Sequence, residues 1–159
     1  MRPKPFTPEA LNNDCPYVRD RIGGQIWHRC HLRTLYVDTD RSQVVYHANY
    51  LRYFEFGRAS LMRHAAYPYR EIEESGFYYP IISTGLDYFR PLHYDDAMAI
   101  HTRPAEIERV KLRFDYVITH EESGDMVCRG FTRHCAVNAK GVPVGIDEKT
   151  IQLWEIFPK

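Results

Sequence analysis

Residues 36–66 read YVDTDRSQVVYHANYLRYFEFGRASLMRHAA, and the spacing of apolar residues changes inside this stretch. Residues 38–43 are a polar loop, followed by a short apolar patch, Val44-Val45-Tyr46. From His47 onward Tyr50, Leu51, Phe54, Leu61, Met62 and Ala65 recur at spacings of three and four, which puts them on one face of an α-helix. A helix over residues 47–66 would be roughly 28 Å long at about 1.5 Å per residue. Gly57 within it costs helix propensity, so a close approach to a neighbouring strand is expected there. Pro68 marks the end, and a short second helix over residues 69–75 is expected to stop at Gly76.

Outward from the helix the period falls to two. In residues 26–37, Ile26, Cys30, Leu32, Thr34 and Tyr36 share one parity, while Arg29, His31 and Arg33 share the other. That pattern predicts a strand with one solvated or ligand-facing side. Strands are also predicted over residues 78–89, 96–108, 111–119 and 126–138. The alternation is cleanest where Leu112, Phe114, Tyr116 and Ile118 oppose Lys111, Arg113 and Asp115. A turn at residues 121–125 joins the last two strands, and a short helix is expected near residues 148–154. One long helix among about five antiparallel strands can bury its apolar stripe only against a sheet face, so the fold class is α+β, with the sheet wrapped around the helix. Residues 1–20, proline-bearing and polar, read as an extended N-terminal arm. Residues 21–159 read as a single domain.

Composition narrows the function. The chain has 159 residues, 21 basic and 21 acidic side chains and no net charge, which argues against a nucleic-acid binder that neutralises phosphates. No apolar run approaches about 18 residues and no apolar signal core is present, so no membrane insertion and a cytoplasmic location are expected. The four cysteines show no CxxC pairing and read as reduced thiols. His28, Cys30 and His31 cannot converge on a metal, because on a strand His31 faces away from the other two; no metal or cofactor is expected.

The segment Tyr36-Val37-Asp38-Thr39-Asp40 through Val44-Val45-Tyr46-His47-Ala48-Asn49-Tyr50 resembles the 4-hydroxybenzoyl-CoA thioesterase family of hotdog-fold enzymes, in particular its acyl-CoA thioesterase branch, which includes the Tol–Pal-associated thioesterase. The family motif runs Asp/Glu-x-Asp, a small glycine-containing loop, a Val-Val or Ile-Val pair, then Tyr-His-Ala-x-Tyr. Phe54-Glu55-x-x-Arg58, Pro80-Ile81-Ile82-Ser83 and Tyr94-Asp95-Asp96 add weaker matches. The chain departs from the family at Gln43, where glycine is usual.

The resemblance implies hydrolysis of an acyl-CoA or acyl-carrier-protein thioester, with Asp40 as nucleophile or as general base toward water. It also implies a homo-oligomer, dimer or tetramer, whose active site lies between protomers. The chemistry suits so small a set of groups. A thiol of pKa about 8.5 leaves without an obligatory acid, so one carboxylate and a set of oxyanion donors can suffice. The first turn of the long helix supplies unpaired N–H groups, His47 N–H foremost. The His47 side chain could orient Asp40, touch the thioester or do neither. Tyr50 is a candidate substrate contact, and Arg109, Lys111 and Arg113 are candidates for the coenzyme A phosphates. Glu55 is a second candidate carboxylate, although with Arg58 at i+3 it more simply makes an ion pair on the helix. The competing reading is a non-catalytic hotdog module that binds acyl-CoA.

Overall fold

The computed structural model describes residues 4–12 and 15–159. A seven-stranded antiparallel sheet wraps one long helix, α1 (Tyr50–His64). The strands are β1 (Pro8–Ala10), β2 (Tyr17–Asp20), β3 (Ile26–Arg33), β4 (Ile81–Tyr88), β5 (Ala97–Ile107), β6 (Lys111–His120) and β7 (Met126–Cys135), in the spatial order β1-β2-β3-β5-β6-β7-β4. The sheet thus has seven strands where about five were expected. The surplus comes from the N-terminal segment: Pro8–Ala10 and Tyr17–Asp20 pair with each other and extend the sheet beyond β3. These residues show no apolar alternation to betray a strand. They are strands through their backbone pairing with each other and with β3.

The period-two reading of β6 matches its packing. Leu112, Phe114, Tyr116 and Ile118 are buried in the core that faces α1, with Phe54 stacked on Tyr116 at 4.3 Å and 6° between ring planes. Gly57 meets β5 as its sequence position suggested. A Cβ there would lie 2.5 Å from Thr102 Oγ1 and 2.7 Å from the Ile100 side chain, so only a residue without one allows this approach. The helical stretch itself begins as a 3₁₀ turn, His47–Asn49, before the α-helix starts at Tyr50. It ends at His64, before Pro68, with Ala66 in the left-handed region.

A second helix, α2 (Tyr69–Glu74), and a C-terminal helix, α3 (Glu148–Ile156), close the far end of the core. Asp147 caps α3. Its buried carboxylate accepts the Thr150 N–H at 3.1 Å, the Thr150 hydroxyl at 2.7 Å, the Tyr67 hydroxyl at 2.8 Å and the Tyr79 hydroxyl at 2.5 Å. Burial alone would raise its pKa, but the hydrogen bonds from Tyr79, Thr150 and Tyr67 outweigh it and hold the group below its ordinary value. Asp147→Ala removes the cap and strands two buried phenol groups, so it should cost about 3–5 kcal/mol. Denaturant unfolding checks this, and a loss under about 1 kcal/mol would mean water replaces the carboxylate without cost.

β4 is the outer strand at one edge of the sheet. Ile81 and Ile82 are about half exposed along it. The four cysteines are free thiols, and among the described residues no helix is long and apolar enough to cross a membrane.

Candidate active site

Asp40 stands at the tip of a tight hairpin whose sides are tied by an antiparallel bridge between Thr39 and Val45. Its carbonyl accepts the Gln43 N–H at 2.9 Å, closing a β-turn, and its own N–H donates to the Val44 carbonyl at 3.0 Å. The carboxylate accepts the Ser42 N–H through one oxygen at 2.8 Å. The other oxygen has no partner among the described residues, and the side chain is exposed. An aspartate whose backbone and one oxygen are fixed by the turn presents the second oxygen in a defined direction.

The turn closes through a left-handed residue, Gln43, at φ 66°. This explains why glycine is usual there in the family the sequence resembles: a side chain in this region costs about 1–2 kcal/mol. Gln43→Gly should therefore raise the melting temperature by about 2–4 °C per kcal/mol relieved. A fall on thermal melting would show that the Gln43 side chain holds the turn.

The hairpin is anchored by a residue the sequence reading passed over. Asp38 is buried, and its carboxylate accepts the Leu35 N–H at 3.0 Å, the Tyr53 hydroxyl at 3.0 Å and an Arg52 N–H at 3.1 Å. Its carbonyl accepts the Asn49 side-chain amide at 2.8 Å and the Tyr46 N–H at 2.9 Å. Two aspartates one residue apart thus divide the work, Asp38 inward as anchor and Asp40 outward. Period-two alternation across Asp38-Thr39-Asp40 gives no sign of this, since it would put both on one side. The partners Arg52 and Tyr53 lie on α1, one turn past the motif.

His47 opens the 3₁₀ turn that leads into α1. Its carbonyl accepts the Tyr88 hydroxyl at 2.9 Å, its ring packs on Tyr46 at 4.4 Å, and its side chain is exposed. The N–H groups of His47 and Ala48 have no partner among the described residues. Tyr50 is buried, with its ring edge-on to Tyr88 at 5.3 Å and Tyr53 at 5.7 Å. Burial pushes its hydroxyl pKa up, so it stays a neutral phenol. His47, Tyr50 and Tyr88 line one pocket of about 290 Å³ together with Val45 and residues 89–91.

Arg109, Lys111 and Arg113 sit elsewhere. Arg109 and Lys111 are exposed at the turn into β6. Arg113 bonds Asp115 at 2.7 Å and lies over the Phe131 ring at 4.2 Å. Register places Arg113 opposite Arg133 of β7, itself opposite Ser83 near the start of β4, whereas Tyr88, beside His47, is the last residue of β4. The basic residues and the His47 turn therefore lie toward opposite ends of the sheet, separated along β4 by roughly 15–20 Å at about 3.3 Å per residue. One chain does not bring them together. Glu55 and Arg58 make no ion pair; Arg58 instead donates to the Tyr116 hydroxyl at 2.9 Å. Among the described residues no three His, Cys, Asp or Glu side chains are placed to hold a metal ion.

The sequence profile of the thioesterase-like superfamily matches residues 35–152. A protein of Aquifex aeolicus (strain VF5) named as an esterase is 30% identical over 121 residues, covering 76% of this chain and 92% of that protein. The acyl-CoA thioester hydrolase YbgC of Escherichia coli O157:H7 is 27% identical over 92 residues, covering 58% of this chain and 69% of that one. In fold alone, the crystal structure of the 1,4-dihydroxy-2-naphthoyl-CoA thioesterase Slr0204 from Synechocystis superposes with a TM-score of 0.76 at 18% identity, covering 81% of this chain and 96% of the other. The match over residues 35–152 contains the Asp40 hairpin, the His47 turn and α1, and the chain belongs to the thioesterase-like superfamily of hotdog-fold proteins.

Proposed function

We propose that this protein hydrolyses an acyl thioester of coenzyme A or of an acyl carrier protein, with Asp40 as the reacting carboxylate. The observation that carries this is an exposed aspartate, fixed by its turn and carrying one unpartnered oxygen, on the hairpin that leads into the N-terminus of the central helix. Asp40 either takes a proton from water as the water oxygen attacks the carbonyl carbon, or attacks that carbon itself to form an anhydride that water then opens. On both routes the C–S bond breaks, the thiolate leaves and takes a proton, and a free acid remains. The charge that develops on the carbonyl oxygen is met by the His47 and Ala48 N–H groups at the positive end of the helix.

The active unit in this reading is a homodimer built through β4. An exposed edge strand carrying Ile81 and Ile82 is suited to pair with its own copy. Antiparallel pairing of β4 with a second β4 sets the Tyr88 end of one protomer against the Ile81 end of the other. The phosphates of a coenzyme A thioester bound at one protomer's His47 turn, a pantetheine arm away from the thioester, then come within reach of its partner's basic residues at the start of β6, Arg109 and Lys111 first.

The test is thiol release from a panel of acyl-CoAs and acyl carrier proteins, with solution mass measured at the assay concentration. Turnover of at least one member by a dimer or tetramer is expected. Binding without thiol release from any member would replace the hydrolase reading with an acyl-CoA-binding module, and a monomer at micromolar concentration would remove the shared site.

A further inference from the structure

Behind α1, away from the His47 turn, lies a second cavity of about 320 Å³. Its walls are mostly apolar and aromatic: Met62, Ile72, Tyr79, Leu112, Phe114 and Trp154. Two charged side chains, Glu55 and Arg58, line it from α1, and Ile81, the first residue of the β4 edge, lines it as well. The volume corresponds to about ten waters of roughly 30 Å³ each, enough for a compact acyl group.

Arg58 is held in an unusual way. Among the described residues it has no carboxylate within ion-pair distance, Glu55 included, and its fixed contact is a guanidinium N–H to the Tyr116 oxygen at 2.9 Å. Tyr116 lies 2.7 Å from the Thr132 hydroxyl, which lies 2.8 Å from His134 Nε2, while His134 Nδ1 lies 2.8 Å from the Tyr79 carbonyl. Every proton in this chain can be assigned. Burial, and then the nearby Arg58 charge, keep the His134 ring neutral against the opposing pull of the Tyr79 carbonyl. A carbonyl only accepts, so Nδ1 carries the ring proton and Nε2 accepts. Thr132 therefore donates to Nε2 and accepts from Tyr116, and Tyr116 accepts from Arg58. The chain runs one way, from Arg58 through the sheet to His134 and Tyr79 on another wall of the same cavity, and fixes the guanidinium by one of its five N–H groups.

A guanidinium with N–H groups to spare, on the wall of an apolar cavity, recognises an oxygen. A phosphate is disfavoured because Glu55 lines the same cavity and repels a dianion. A hydroxyl or oxo group suits both residues: the oxygen accepts from Arg58, and a hydroxyl proton can go to Glu55. We propose that Arg58 is a specificity-determining residue that reads a hydroxyl or oxo oxygen on a compact acyl group lodged in this cavity, and that Thr132 is a positioning residue acting through Tyr116. This rests on the thioesterase reading and on its β4 dimer, in which the thioester at one protomer's His47 turn faces its partner's cavity.

The test uses matched pairs that differ by one oxygen: butanoyl-CoA with 3-hydroxybutanoyl-CoA, and benzoyl-CoA with 2-hydroxybenzoyl-CoA. For each pair kcat/KM is measured, together with the Kd of the non-hydrolysable thioether analogues. Wild type should favour the oxygenated member of at least one pair by about 10- to 100-fold, the value of a hydrogen bond to a charged group. Arg58→Met should bring the ratio close to one, and Thr132→Val, which leaves the buried Tyr116 hydroxyl and His134 Nε2 without their partner and so melts earlier, should lower it, whereas Thr132→Ser should restore it. Should Arg58→Met not fold, Arg58→Gln, which can still donate to Tyr116, decides by the same ratio. Equal handling of both members of each pair by wild type, or an unchanged ratio in the Arg58 variant, overturns the proposal. The binding arm needs no turnover: discrimination in Kd without thiol release would sink the hydrolase reading and keep this one.

Discussion

Between pH 6.5 and 4 the protein is expected to lose most of its folding free energy. Three histidines are buried neutral. His28 lies at the base of α1 with its Nδ1 unpartnered; burial and then the charge of His64 lower its pKa to about 4. His101 donates from Nδ1 to the Val117 carbonyl at 3.0 Å while its Nε2 has no partner, and burial lowers its pKa to about 3. His134, at the end of the Arg58 chain, is lowered by burial to about 4. Each would sit near 6.5 in the unfolded chain. Between the folded and unfolded values the unfolded state binds more protons, so stability rises with pH through this window and is fully present only above about 6.5. Each such histidine costs about 1.4 kcal/mol per pH unit as the solution is acidified. Three together rival the 5–15 kcal/mol that typically separates folded from unfolded states. Asp147 works in another window. Its lowered pKa contributes stability that is lost only as pH falls below the ordinary carboxylate value of about 3.9. Urea unfolding at pH 7.5, 6 and 5 should show a midpoint that drops steeply across the series. Coincident midpoints would mean that the three histidines are already protonated in the fold, or water-exposed.

Asp40→Asn is expected to lower kcat by about 10³-fold or more. A general base is worth about 10²–10⁴, and loss of a nucleophile removes the covalent route altogether. The fold should not notice. The asparagine side-chain oxygen can still accept the Ser42 N–H, and the two hydrogen bonds that close the turn are made by the backbone. Melting temperature and binding of a thioether analogue should therefore stay near wild type while turnover collapses. Asp38→Asn should do the reverse, because that carboxylate faces Arg52 and Tyr53 rather than solvent. Its variant should melt earlier, and activity should fall only as far as the hairpin loosens.

The contrast shows what a sequence reveals here. Periodicity carried the helix and the central strands because burial selects side chains by face, as Leu112, Phe114, Tyr116 and Ile118 illustrate. It missed β1 and β2, which are strands by pairing with each other and with β3 rather than by an apolar pattern of their own. The Asp40 hairpin was legible as a motif, and Gln43 as a departure whose backbone consequence, a positive φ, appears only in three dimensions. The role of Asp38 was not legible, since its partners lie fourteen and fifteen residues away. The i+3 spacing of Glu55 and Arg58 is a local rule that predicts an ion pair between them, on the helix surface or buried, whereas the Arg58 bond runs 58 residues along the chain to Tyr116. The grouping of Arg109, Lys111 and Arg113 with the helix-start site rests on the resemblance; β4 separates them from the His47 turn within one chain, a distance no local pattern in the sequence reports.

The role of Asp40 is decided by thiol release from wild type and Asp40→Asn, measured side by side on the acyl thioester that wild type turns over fastest. Both proteins are first matched for melting temperature and analogue binding. Rates should differ by about three orders of magnitude between two equally folded, equally liganded proteins. Equal rates would contradict this role and move the reacting carboxylate away from the hairpin, with Glu55 next in line.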